Sequence, residues 1–408
     1  MRGRRAAVLI PLLLVLAACS GTTPTAAPTT TPTTAAPTTA APTTTTTTRT
    51  TTTTPAPSAG AGPVHALLPG MPAPLAPSDV YAADRPGALS PVVRGDRPIV
   101  YVPNSGGDTV TELDPSTGKV IRTFVTGRNP QHVVPSWDLR TLWVNNDLAN
   151  TLTPIDPRTG VPGPSVPVHD PYNLYFTPDG RSAVVMASAD REIVFRDPHT
   201  MAVQKVVPAG CSGVNHADFS RDGTYFVVSC EFSGDLLRVD TAGRRVVARL
   251  HLPGGKAMPQ DVKMAPDGRR FYVADMARNG LWVVDGPTLR ISGFLPTGKG
   301  AHGLYVTRDS RQLVVTNRDE GTVSLVSFAT GTVVRKITIP GGGSPDMGGI
   351  SVDGADLWVS GRYDREVYEI ELSTGRLVRR IKVGDQPHGL CVFPQPGRYS
   401  LGHTGVFR

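Results

Sequence analysis

The chain has 408 residues, among them 43 Gly and 39 Pro, and is 39% hydrophobic and 18% charged. That much Gly and Pro excludes a coiled coil or helical bundle, the apolar share excludes a wholly disordered chain, and four cysteines exclude a disulfide scaffold. The formal charge of +7 is concentrated at the N-terminus: setting aside Arg2, Arg4, Arg5 and Arg49 leaves 37 basic against 34 acidic residues from Pro63 onward, too balanced for a nucleic-acid partner.

Residues 1–18 read as a secretory leader, with a basic start followed by uncharged Ala6 to Ala18. The apolar run falls short of the roughly 20 residues that span a bilayer. It ends in Leu16-Ala17-Ala18-Cys19, which resembles the bacterial lipobox. That resemblance implies cleavage before Cys19 and lipid on its thiol, and so a chain anchored to the outer face of a cell membrane rather than spanning it. Residues 19–62 read as a tether. Ser20 to Pro57 holds 21 Thr and 7 Pro with Arg49 its sole charge, so no apolar face can offset the entropy of ordering it. At about 3.1 Å per residue in polyproline II it reaches roughly 120 Å at full extension.

Residues 63–408 form the third segment, expected to be all-β. A turn Asp recurs at Asp96, Asp138, Asp179, Asp222, Asp267, Asp309 and Asp353, in steps of 41 to 45 residues. Short β-runs at that period predict a β-propeller of four-stranded blades. One unit shows the pattern: an inner strand at His216-Ala-Asp-Phe-Ser, a turn at Arg221-Asp222-Gly223, a buried strand at Thr224-Tyr-Phe-Val-Val-Ser, an alternating strand from Asp235, and an outer strand from Arg245. The strings Tyr101-Val-Pro-Asn104, Trp143-Val-Asn-Asn146, Tyr272-Val-Ala-Asp275 and Val314-Val-Thr-Asn317 resemble the YVTN β-propeller repeat family over about residues 80–402. The resemblance implies the fold strongly and a function weakly: relatives include surface-layer proteins, secreted propellers and the haem-binding domain of some nitrite reductases. Seven second strands predict seven blades, with His388-Gly-Leu-Cys-Val-Phe returning to complete the first. The alternative is eight, with residues near Val80 and Arg398-Tyr-Ser-Leu supplying further strands.

No familiar catalytic motif is present. The informative feature is a register. His132, Asn173, His216 and Asp261 stand six residues before their turn Asp, His302 and Asp346 seven before theirs, and His388 seven before Gln395. These are the starts of the innermost strands, which ring one mouth of a propeller channel. His132, His216, Asp261, His302, Asp346 and His388 are therefore the candidate ligand-binding residues. Neutral imidazoles and carboxylates there suit a transition metal or a haem, although no cofactor is required. Polar bonding between blades is the competing role, and six and seven residues point to opposite faces of a regular strand. The four His recur at every second blade. In a ring of eight they form a square, whereas in a ring of seven the fourth lands beside the first. Cys211 and Cys230 flank one inner-strand hairpin as a candidate disulfide, although strict pairing puts position 233 opposite Cys211 and a loop has to close the gap. Cys391 is left as a buried thiol. Two functions follow as expectations. The first is a non-enzymatic surface lipoprotein that binds a protein partner or a small-molecule ligand through one face of the ring. The alternative is a metal- or haem-dependent oxidoreductase using the His/Asp cluster.

Overall fold

The computed structural model describes residues 66–403 and Arg408. The leader, Cys19 and the tether lie outside the described residues. Seven four-stranded antiparallel sheets make up the fold, with two short 3-10 turns at Pro91–Val93 and Asp147–Ala149. The expected seven-bladed propeller is the fold observed.

Blade 1 is built from both ends of the domain. Cys391–Phe393 pairs antiparallel with Ile99–Asn104, which continues into Thr109–Leu113 and Val120–Val125. The inner strands of blades 2 to 7 are Pro130–Pro135, Asn173–Phe176, Val214–Phe219, Pro259–Met264, Ala301–Val306 and Pro345–Ile350. Each packs against the next, and that of blade 7 against Cys391–Phe393, so the ring closes. Closure removes the open edges that invite aggregation.

Burial follows position within the blade. Second strands such as Tyr225–Cys230 are apolar on both faces because blades cover both, and every residue is buried. Outer strands such as Arg245–His251 alternate between half-buried and exposed, the period of a strand covered on one side. The recurring turn Asp has a local cause. In blades 2, 3, 4, 6 and 7 a Ser or Thr two residues earlier donates its hydroxyl to that carboxylate, as Ser220 does to Asp222 at 2.6 Å. The same oxygen accepts the N–H two residues on, as from Thr224 at 3.1 Å. The carboxylate thereby fixes the first hairpin of the blade.

Residues once candidates for an eighth blade do other work. The chain from Leu68 to Val93 runs across the face that carries those hairpins. Leu68 N–H donates to Asp222 O, Val80 N–H to Pro266 O and Gly87 N–H to Val352 O. After Phe393 the C-terminal segment crosses the same face in the other direction. Ser400 bonds Pro135 O, and Leu401 O accepts from Phe176 N–H. One face of the channel is thus strapped by both segments. Arg308 ties the straps together: it donates to Asp84 at 2.5 Å, to Ile350 O at 2.7 Å and to Gln395 Oε1.

Cys211 and Cys230 are joined, with Cα atoms 6.0 Å apart. Val214 stands opposite Cys230, and Ser212 and Gly213 fold back to bond the backbone of Phe232 and Glu231, which supplies the loop that strict pairing lacks. Cys391 is a buried free thiol. Trp143, Trp282 and Trp358 are buried within the blades, and Trp137 stacks on Tyr399 of the C-terminal segment.

Candidate functional site

The inner strands deliver their polar residues to one point. In blades 2, 4, 5, 6 and 7 the ladder between the first and second strands slips by one residue where the His or Asp sits: between Pro130 and Val133, Val214 and Ala217, Pro259 and Val262, Ala301 and Leu304, and Pro345 and Gly348. A bulge re-aims side chains. It brings together residues that strict alternation sets on opposite faces, whether six or seven positions from the turn.

His132, His216, His302 and His388 all lie in the hub. Ring centroids are 5.8 Å apart for His132 and His216, 6.3 Å for His216 and His302, 6.0 Å for His302 and His388, and 4.9 Å for His388 and His132. The last pair reflects the odd ring: His388 belongs to blade 1 and His132 to blade 2, so they are neighbours. A fifth imidazole, His403, comes from the C-terminal segment, 4.7 Å from His216 and 5.0 Å from His132. Its backbone is seated by His403 N–H donating to Leu174 O. Gly402 permits the approach. Its φ is +94°, and a Cβ there would overlap Tyr175 Cα and Leu174 O. At Gly389 a Cβ would run into the His132 ring.

The hub residues divide into two groups, each with ligand atoms within 4.8 Å of one another: His132, His216 and His403, and His302, Asp346 and His388. In the second group Asp346 is already engaged. His302 Nδ1 lies 3.1 Å from one of its oxygens, His388 Nε2 3.5 Å from the other, and the guanidinium groups of Arg318 and Arg362 lie at 3.3 and 3.9 Å. In the first group His132 Nδ1 is 3.0 Å from Tyr172 O, and Asn173 Nδ2 is 3.1 Å from His216 Nδ1 and 3.4 Å from His403 Nδ1. The Nε2 atoms of His132, His216 and His403 are buried with no hydrogen-bond partner among the described residues. Asp261 faces His403 Nε2 at 3.9 Å.

Burial dominates the electrostatics. It pushes the His132 imidazole down to about 4 and holds His216, His302, His388 and His403 well below the ordinary histidine range, with Arg318 and Arg362 adding to the effect at His302. All five rings are therefore neutral at neutral pH, the form in which imidazole ligates a metal. Burial likewise raises Asp261 to about 6, against the pull of Lys263. Lys263 is itself fully buried, and its Nζ has no hydrogen-bond partner among the described residues.

An ion fits this arrangement and a haem does not. Rings packed edge-on at 4.7 to 6.3 Å between centroids are in van der Waals contact and leave no slot for a porphyrin. The sequence register found four of the five imidazoles and both carboxylates. It missed His403, which lies outside the repeat and so has no register to align. It also missed Arg318 and Arg362, although both directly follow the second strands of consecutive blades and the same register argument reaches them.

Fold and hub together define a seven-bladed propeller with a histidine-lined centre. The YNCE-like beta-propeller family matches residues 72–398, and the chain belongs to that family. No curated protein matches it. Among solved structures it is similar to Kuenenia stuttgartiensis hydrazine synthase (18% identity, TM-score 0.59, covering 72% of this chain and 97% of that one). A functionally unknown protein from Desulfotomaculum acetoxidans is similar too (16%, 0.62, 72% and 98%), as is the dihydro-heme d1 dehydrogenase NirN in complex with DHE (17%, 0.55, 78% and 78%). At these identities the likeness is one of fold.

Proposed function

We propose that this protein is a lipid-anchored, extracytoplasmic propeller that binds a transition-metal ion in its hub, and that it captures or holds the ion rather than turning over a substrate. The observation that carries the reading is the set of five buried, neutral imidazoles, four of which have a buried ring nitrogen without a hydrogen-bond partner among the described residues. A buried polar atom without a partner costs about 1–3 kcal/mol, and a ligand accounts for several such atoms at one point. Hub residues that are buried and packed ring against ring suit retention of an ion. The location rests on the Leu16-Ala17-Ala18-Cys19 box, and the Cys211–Cys230 disulfide supports an oxidising compartment.

The ion half of the reading is tested by metal analysis of protein exported from its own host. Near-stoichiometric copper, zinc or iron is expected; protein free of metal that takes none up when supplied overturns it. The address is tested separately. Cys19→Ala should release the chain from membranes, and a variant that stays bound, with no lipid mass on the wild type, overturns the anchor. The haem form of the oxidoreductase alternative predicts a visible Soret band and finds no slot among these rings.

A further inference from the structure

The reading above places an ion in the hub without saying where. We infer that it sits on His132, His216 and His403, so that the C-terminal segment supplies an essential ligand and Asn173 sets the tautomers of two of the three rings. This inference rests on that reading and deepens it.

The choice between the two groups follows from charge and from unpaired atoms. At Asp346 two guanidinium groups already face the carboxylate, and an added cation there meets both. Around the first group no guanidinium is in salt-bridge contact with a ring among the described residues, and the carboxylate of Asp261 faces His403 Nε2 at 3.9 Å. All three rings of the first group carry a buried Nε2 with no hydrogen bond, that of His403 faced by Asp261 at 3.9 Å, whereas in the second group the one buried ring nitrogen without a hydrogen bond is His388 Nδ1. Three neutral imidazoles with no thiolate form a site for a borderline dication such as Zn2+ or Cu2+. Metal–nitrogen bonds of about 2.0–2.1 Å in tetrahedral geometry put the nitrogens roughly 3.3 Å apart. Each ring already has a nitrogen within 4.8 Å of one on the other two, and a closing motion of the rings brings the Nε2 atoms to the shorter distance.

Asn173 supplies the part that makes ligation chemically consistent. A metal-bound His keeps its proton on the other nitrogen and donates it to an acceptor. His132 meets this condition through Tyr172 O. His216 and His403 both face the side-chain amide of Asn173. The oxygen and nitrogen of an amide exchange places by a half-turn about the last torsion. With Oδ1 toward the rings, the one oxygen accepts from both Nδ1–H groups, and both Nε2 lone pairs point into the hub. Tyr175 Oη, 3.2 Å from the amide, already accepts from Ala217 N–H. The turn gives up the hydrogen bond from the adjacent Leu174 N–H to Oδ1 and sets the amide NH2 group beside that donor, a cost that metal ligation has to offset.

The test uses the full chain in detergent, stripped with a chelator and titrated with Zn2+ against a chromophoric competitor, with Mg2+ as a control. Wild type should bind one Zn2+. His403→Ala and His403→Gln should each weaken binding at least 100-fold, Asn173→Leu 10- to 100-fold, and Asn173→Asp, which keeps an acceptor toward both rings, less than 10-fold. His302→Ala and His388→Ala should stay within about threefold. X-ray absorption at the zinc edge of the wild type should show three imidazoles and no carboxylate, a readout that no folding defect in a variant affects. Binding that survives in both His403 variants, or that is lost in His302→Ala or His388→Ala, or an absorption spectrum with a carboxylate and two imidazoles, overturns this assignment and leaves the broader reading standing. A wild type that binds no Zn2+ or Cu2+ overturns the broader reading itself.

Discussion

Tyr101 and Cys391, separated by most of the chain, stand opposite one another in one antiparallel ladder. Ile99 and Phe393 form the next-but-one pair, and both are buried. The ring is closed by these few residues, since among the described residues blade 1 has no other inner strand.

Phe393→Ala should accordingly destabilise the domain by about 3–5 kcal/mol, the usual loss for a large buried aromatic. Removing residues 386–408 should prevent cooperative unfolding altogether, whereas removing residues 20–62 should leave the transition unmoved. Urea denaturation followed by tryptophan fluorescence checks all three. A C-terminal truncation as stable as the intact domain contradicts closure by this strand.

Arg308 joins the N-terminal strap to the C-terminal one and to blade 7, and Asp84 is its buried partner. Burial already raises the Asp84 carboxyl to about 6 with the guanidinium in place. Arg308→Met strands that carboxylate and should cost about 3–5 kcal/mol. Adding Asp84→Asn should recover a large part of the loss, which a double-mutant cycle at pH 7 measures. Additive losses speak against the pair.

The disulfide closes a loop of 19 residues. Chain entropy alone gives it about 3 kcal/mol. The Cys211→Ser/Cys230→Ser variant should lose stability of that order in the denaturant midpoint, and adding reductant should bring the wild type to the same value and leave the variant unchanged.

Acid should act on the metal-free hub. His132 has a folded value of about 4 against about 6.5 for an unfolded histidine, so the unfolded chain takes up the proton first. The stability this ring contributes is complete above pH 6.5 and disappears as pH falls toward 4, a loss of about 2 kcal/mol between pH 7 and pH 5. Tyr172 O and Asp346 favour the charged ring and Arg362 opposes it, but burial outweighs them. Asp84 and Asp261, both raised to about 6, act in the opposite sense over the same range. The test is therefore a difference: urea midpoints at pH 7 and pH 5 should diverge less in His132→Asn than in the wild type by about that amount.

Gly402 gives a way to withdraw His403 without altering it. Gly402→Val should expel the segment from beside Tyr175 and Leu174. Trypsin should then cleave after Arg398 several-fold faster, and Zn2+, which should slow that cleavage in the wild type, should have no effect in the variant.

The amino-acid sequence by itself determined the blades. Its period of 41 to 45 residues, the hydroxyl-Asp turns and the doubly apolar second strands are local features that need nothing beyond the chain's own chemistry. It also determined that His132, His216, His302, His388, Asp261 and Asp346 share a register, which a propeller turns into a ring. The tertiary structure decided how that ring is arranged. Bulges aimed positions six and seven from the turn at one hub, which no alternation rule predicts because a slip in a ladder depends on the partner strand. The odd blade number set His388 beside His132 and broke the fourfold spacing. His403 entered through a non-repeating segment, seated by a glycine against a strand more than 220 residues earlier, a contact that only long-range packing creates.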